Sequence, residues 1–313
     1  MKALVASPGA DGNVDVVDGA EPEPRPNDVL VDVKAVSLNR GEVRALGDDE
    51  PGWRPGWDVA GVVAAGAADG SGPKAGTRVV GLVGSGAWAA RVALPTQMLA
   101  ELPADVGFEA AATLPVAGLT ARRAVEMAVV DGRRVAVTGA AGGVGRFAVQ
   151  LAAQNGAHVT AVVGRPERGA GLRELGAAEV VVGTLTAEGE PFDLILESVG
   201  GDSLAAALVR VAPEGTVVSY GNSSRQHTTF DPNAFYGKAG ARLYAFVLGA
   251  ELQRLRTATT DLRYLANLVA MGHLDVGIDR VVDFGDLGGV RAAIGDLLDR
   301  KVNGKAVVRL FDV

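Results

Sequence analysis

The chain has 313 residues, long for a single hydrophobic core, so two domains are expected. Its 48% hydrophobic and 21% charged residues fit an ordinary globular protein, and a net charge of −7 without any clustered Lys/Arg patch excludes a nucleic-acid footprint. The absence of cysteine excludes disulfides, thiolate catalysis and thiolate-bound zinc; the three histidines (His158, His227, His273) lack ligand spacing, so no metal site is expected.

The start, MKALVASPGADG, carries no charged-then-apolar signal, and no apolar run has the length of a membrane span; a cytoplasmic protein with no membrane partner is expected. A polar, proline-rich connector occupies 20–28. The runs 28–36, 58–66, 77–84 and 87–94 are β-branched and broken by Gly and Pro, the pattern of short strands in a mostly antiparallel β domain. From Val116 the pattern changes to alternating strands and helices. A helix is expected over 119–130, a strand over 133–138, an amphipathic helix over 147–153 and a strand over 158–163. The apolar runs 178–183 and 192–200 read as buried parallel strands, 203–212 as a helix, 216–221 as a strand and 242–247 as a sixth strand. One long helix is expected over 249–271, and strands over 279–284 and 305–311 return to the first domain. The fold class is therefore α/β, with a doubly wound parallel sheet beside a mostly-β domain. The domain boundaries are set at 1–116 with 260–313, and 117–259.

The most informative stretch is 133–168. Gly139, Gly142 and Gly145 follow a strand at three-residue spacing and open a helix. A dinucleotide site needs small residues there for a tight turn, for backbone approach to the pyrophosphate and for helix–strand packing. The helix N-terminus adds free N–H groups and a positive dipole end. The alternative is a merely tight strand-to-helix turn. An NAD site places a carboxylate about 20 residues beyond the glycines. Here the second strand ends in Gly164, with Arg165 and Arg168 just beyond, two guanidiniums able to grip a 2′-phosphate. That pattern points to NADPH. Glu167 lies between the arginines and competes for one of them, and two solvated surface arginines are the alternative.

Taken together, SLNRGEVRALG (37–47), PGWDVAGVV (55–63), AATLPVAGLTA (111–121), TGAAGGVGRFAVQLA (138–152), ESVGGDSLAAAL (197–208), GTVVSYGNSS (215–224) and VNGKAVV (302–308) resemble the medium-chain dehydrogenase/reductase superfamily, in its zinc-independent quinone oxidoreductase branch. The resemblance spans nearly the whole chain. It implies a GroES-like mostly-β catalytic domain, completed by the C-terminal tail, and a Rossmann cofactor domain inserted in it. It also implies that Asn39 and Thr120 lie near the nicotinamide and its ribose, and that Ala141, Gly142, Gly143 and Val144 hold the pyrophosphate. Gly164, Arg165 and Arg168 would sit at the adenosine phosphate, Gly221 and Asn222 beside the cofactor's ribose, and Asn303 at the nicotinamide end. Each has a structural alternative: Asn39 as a cap or turn residue, Thr120 as the N-cap of its helix, Asn222 and Ser223 as turn formers.

Two departures stand out. The zinc ligands of the alcohol dehydrogenase branch are missing from the early loop, and 46–53 holds no tyrosine of the kind several relatives carry there. Asn39, Arg44 and Trp53 are candidates for the acceptor pocket; Arg44 also reads as a solvated helix residue and Trp53 as plain packing. The implied activity is metal-free hydride transfer from NADPH to a small quinone or conjugated enone. An enoyl-thioester or polyketide enoyl reductase is the alternative within enzymology, and a non-catalytic NADPH-binding sensor the alternative outside it. A homodimer is implied by the resemblance alone.

Overall fold

The computed structural model describes residues 1–48 and 50–310; Asp49 of the early loop and Phe311 of the 305–311 run lie outside the described residues. The chain divides into two compact units, Met1–Leu119 together with the chain from Arg256 onward, and Thr120–Leu255. In chain order the first unit forms strands β1 (Lys2–Ala6), β2 (Val14–Asp18) and β3 (Asp28–Leu38), helix α1 (Arg40–Ala45), strands β4 (Asp58–Ala65), β5 (Arg78–Leu82), β6 (Arg91–Pro95) and β7 (Leu99–Glu101), and helix α2 (Phe108–Ala112). Helix α3 (Leu119–Val125) leads into the second unit: β8 (Arg134–Thr138), α4 (Gly143–Gln154), β9 (His158–Val163), β10 (Glu179–Val182), β11 (Phe192–Glu197), α5 (Gly201–Arg210), β12 (Val211–Ser219), α6 (Pro232–Tyr236), β13 (Arg242–Ala245) and α7 (Leu248–Leu255). The chain then returns to the first unit with α8 (Ala258–Ala270), β14 (Ile278–Asp283), α9 (Leu287–Leu298) and β15 (Lys305–Arg309).

In the first unit β3 is the spine. Its apolar residues Val29, Val31, Val33, Val36 and Leu38 are buried, and it pairs with β4, β6 and β15. The sheet runs β14-β15-β3-β4-β5-β7, antiparallel except for the β14–β15 pair. The C-terminal strand is thus placed beside the end of β3, with Ala306 opposite Leu38. Trp88, Leu4, Leu46 and Ile294 close the core around it.

In the second unit six parallel strands run β10-β9-β8-β11-β12-β13. This is the doubly wound order, reversing between β8 and β11. The inner strands β8 and β11 are buried almost throughout, because helices cover both faces of a parallel sheet.

Several local expectations need correction. The helix expected over 249–271 is two helices, α7 and α8, broken where Arg256 takes φ +53°. A left-handed residue cannot continue a right-handed helix. The helix expected over 119–130 ends at Val125, short of the turn before β8. The run 178–183 is not buried: β10 is an edge strand with Val181 and Val182 exposed. Within 87–94 only the part from Arg91 is strand, while Trp88 is a core anchor. The β1–β2 hairpin had no counterpart in the pattern reading.

Candidate functional site

In a doubly wound sheet, ligands bind outside the carboxyl ends of the strands where the order reverses. Here that point is the end of β8 beside the end of β11. After Thr138 the chain turns at Gly139, with φ +61°. The Ala140 N–H donates to the Val162 carbonyl (3.1 Å) and the Gly142 N–H to the Gly139 carbonyl (2.9 Å). Gly142 caps α4, and the Arg146 N–H closes the first helical turn on the Gly142 carbonyl at 3.0 Å. The amides of Gly143, Val144 and Gly145 therefore precede the helical ladder and face outward from the turn. Gly145 is required by contact: a Cβ there would lie 2.5 Å from the Gly139 carbonyl oxygen and 2.6 Å from Ala140 Cα.

A buried carboxylate organises the adjoining strand end. Glu197 Oε1 accepts from the Thr138 hydroxyl (3.2 Å), the Val199 N–H (2.9 Å) and the Ser203 hydroxyl (2.9 Å), and Oε2 accepts from the Gly200 N–H (3.0 Å). The Ser198 hydroxyl donates to the Thr138 carbonyl at 3.0 Å. The ends of β8 and β11 and the start of α5 are thereby tied together. After β12, the Asn222 side chain closes over Gly200, where no Cβ would fit, and its Oδ1 accepts from the Arg225 N–H at 3.1 Å. Tyr220, beside it, has its phenol pushed up by burial, opposed by a hydrogen bond with Ser198.

The second unit thus gathers Ala141, Gly142, Gly143 and Val144 after β8, Gly164, Arg165 and Arg168 after β9, and Gly221 and Asn222 after β12, all at the carboxyl ends of parallel strands. Arg165 pairs with Glu167 (3.1 Å), and both side chains are more than half exposed. Thr120 is buried inside α3, following directly on the helical turn 114–118, so it is not an N-cap.

The first unit gathers a different set. Asn39, the N-cap of α1, ends β3, and its amide sits in a buried polar cluster. Asn39 Nδ2 donates to Asp58 Oδ2 (2.7 Å) and Glu42 Oε1 (3.2 Å), while Oδ1 accepts from the Lys305 ammonium (2.7 Å). Lys305 also donates to the Leu38 carbonyl (3.2 Å) and lies 3.6 Å from Asp58 Oδ2. Asp58 accepts in addition from the Ser37 hydroxyl and the Val116 N–H. Glu42 accepts from the N–H groups of Asn39 (2.7 Å) and Trp57 (2.9 Å). Burial, reinforced by Asp58, pushes the Glu42 carboxyl up to about 8 against the pull of those donors. Burial likewise lowers the Lys305 ammonium, against the two carboxylates. Asn303, two residues before Lys305, holds a buried Oδ1 without a hydrogen-bond partner among the described residues. Trp53 packs against the core, and Arg44 sits half-buried in the last turn of α1. Among the described residues no group of three or more His, Cys, Asp or Glu is arranged to hold a metal.

Pattern reading missed Glu42, Asp58, Lys305 and Glu197. A signal was present. Asp58 and Lys305 open apolar strands, Glu197 ends one and Glu42 lies in the first turn of α1, places where burial makes an ionic side chain costly unless it is paired.

The family models agree with this architecture: residues 25–104 match the alcohol dehydrogenase GroES-like domain and residues 143–263 the zinc-binding dehydrogenase domain. A quinone oxidoreductase of Pseudomonas aeruginosa is 32% identical over 219 residues, 64% of this chain and 67% of that protein. The chain belongs to the quinone oxidoreductase-like medium-chain dehydrogenase/reductases. Its GroES-like and Rossmann parts superpose on the quinone oxidoreductase of Pseudomonas syringae pv. tomato with a TM-score of 0.86, at 28% identity over 98% of this chain and 99% of that one. A spectinabilin polyketide synthase system protein of Streptomyces orinoci is 35% identical over 209 residues, 63% of this chain but only 10% of that protein. This quinone oxidoreductase-like chain fits a dinucleotide at the β8 turn. The amides ahead of the α4 ladder suit a pyrophosphate, and the absent Cβ at Gly145 lets the helix start pack directly on the turn at Gly139 and Ala140.

Proposed function

We propose that the protein is an NADPH-dependent reductase that delivers hydride to a small quinone or conjugated enone without a metal. The observation carrying this is the glycine turn at the reversal point of the doubly wound sheet, in a chain of the quinone oxidoreductase family. Bound NADPH would supply the hydride. Ala141, Gly142, Gly143 and Val144 would hold the pyrophosphate, the last two through amides ahead of the α4 ladder. Gly221 and Asn222 would flank a ribose, and Asn39, Thr120 and Asn303 would serve the nicotinamide end. Arg165 and Arg168, following Gly164, would bind the 2′-phosphate, with Glu167 competing for Arg165. The lack of cysteine supports metal-free chemistry, because a quinone or enone spreads the incoming charge onto its own oxygen. Arg44 is the candidate to stabilise that charge. Trp53 is a weaker pocket residue, given its packing against the core. The molecule would work in the cytoplasm on a freely diffusing acceptor, as a homodimer.

A second reading, reduction of an enoyl-thioester, is favoured by the polyketide synthase relative. Following oxidation of NADPH, with NADH in parallel, against simple quinones, small enones and an enoyl-thioester separates the two. Turnover with a quinone or enone supports the first and turnover with the thioester alone the second. Binding of NADPH with no turnover on any acceptor would instead support a sensor.

A further inference from the structure

The buried cluster of the first unit contains a side chain that none of the roles above uses. Lys305 is almost fully buried, and its ammonium has three directions: the Leu38 backbone carbonyl, the Asn39 side-chain Oδ1 and, at 3.6 Å, Asp58. An ammonium only donates, and an ionised carboxylate only accepts. Lys305 on one side and Asp58 on the other therefore leave the Asn39 amide one orientation, with Oδ1 toward Lys305 and Nδ2 toward Asp58 and Glu42. Both amide hydrogens are then spent. What Asn39 has left is the second lone pair of Oδ1.

We propose that Lys305 is a positioning residue that pins the Asn39 amide so that its oxygen is presented to a hydrogen-bond donor of the bound ligand. On the functional reading above, on which this rests, that donor is a ribose hydroxyl or the carboxamide of the nicotinamide. The fold explains why a residue so far along the chain does this. Strand β15 runs antiparallel to β3 with Ala306 opposite Leu38, so Lys305 enters beside Asn39 as β3 ends. Gly304, at φ +123°, makes the turn that delivers it. Without Lys305 the amide can rotate, and Asp58 and Glu42 hold it only through its nitrogen.

The test is a double-mutant cycle in cofactor affinity, with NADPH titrated into wild type, Lys305→Met, Asn39→Ala and the double variant, each checked for folding by circular dichroism. Lys305→Met and Asn39→Ala should each weaken binding about five- to tenfold, the loss of roughly one hydrogen bond, and the double variant no more than either. The effect of Lys305→Met should fall on Kd and on KM for NADPH more than on kcat, and Lys305→Arg should restore part of the affinity. Wild-type affinity in a folded Lys305→Met protein, or losses that multiply in the double variant, would overturn the proposal. If Lys305→Met fails to fold, Lys305→Ala, which leaves room for water in place of the ammonium, carries the same reading: wild-type affinity in that folded protein would mark Lys305 as structural only. A wild-type protein that binds neither NADPH nor NADH fails the functional reading itself, a result distinct from every variant outcome.

Discussion

At the scale of single residues, the chain separates positions that only glycine can fill from positions that bury an ionisable group. Gly145 belongs to the first kind. The atoms a Cβ would strike are backbone, the Gly139 oxygen and Ala140 Cα, and neither can swing aside. Gly145→Ala should therefore cost roughly 1–3 kcal/mol in a denaturant melt and weaken cofactor binding by spreading the turn. Glu42 belongs to the second kind. Its carboxyl is raised from 4.5 to about 8, so the folded protein holds a proton that the unfolded chain has lost over that interval. The resulting stabilisation is complete below the lower value and is lost as pH climbs toward the upper one. Between about pH 5 and about pH 8 the wild type should lose roughly 3–4 kcal/mol relative to Glu42→Gln, which cannot titrate. A difference flat with pH, read from urea midpoints, would show that Glu42 stays charged throughout.

At the scale of elements, the loop after β9 sets cofactor choice. The double change Arg165→Ala/Arg168→Ala should cost about tenfold or more in NADPH affinity and leave NADH nearly untouched, since only the 2′-phosphate distinguishes them. Glu167→Gln should act the other way, removing the carboxylate that now holds Arg165 at 3.1 Å. Equal losses for both cofactors, measured by titration, would mean that the arginines support the loop and do not read the phosphate. The same elements show what a sequence exposes. The β8–turn–α4 unit was legible because its requirement is local: strand period, then glycines at fixed spacing, then helix. The alternation of strands and helices gave the doubly wound class for the same reason. The break at Arg256 was not legible, because 249–271 keeps helical composition on both sides and nothing in a single arginine announces φ +53°. Nor was the exposure of β10, which follows from its edge position and not from its apolar composition. The Asn39–Asp58–Lys305 cluster was half legible. All three residues lie inside the quoted motifs, but their meeting depends on β15 pairing with β3 across more than half the chain.

At the scale of the whole molecule, the two units have unequal claims to independence. Thr120–Leu255 is one continuous stretch with a complete six-stranded sheet, whereas the other unit needs both ends of the chain. A chain ending at Leu255 lacks α8, α9, β14 and β15. Strand β3 then loses the partner along its C-terminal half, and Asp58 loses the buried cation that balances it. Removing one partner of a buried pair costs about 3–5 kcal/mol, before the lost core of Val290, Ala293, Ile294 and Val308 is added. That deficit is of the order of a domain's total stability. The outcome can be read unit by unit, because the three tryptophans, Trp53, Trp57 and Trp88, all lie in the first unit. In the truncated chain, tryptophan emission should shift to that of solvent-exposed indole, while far-ultraviolet circular dichroism keeps a cooperative melt from the 120–255 sheet. Expressed alone, 120–255 should melt cooperatively as well. Native tryptophan emission in the truncated chain would mean that β3 and Asp58 are stable without β15, and would remove the reason for Lys305 to lie where it does.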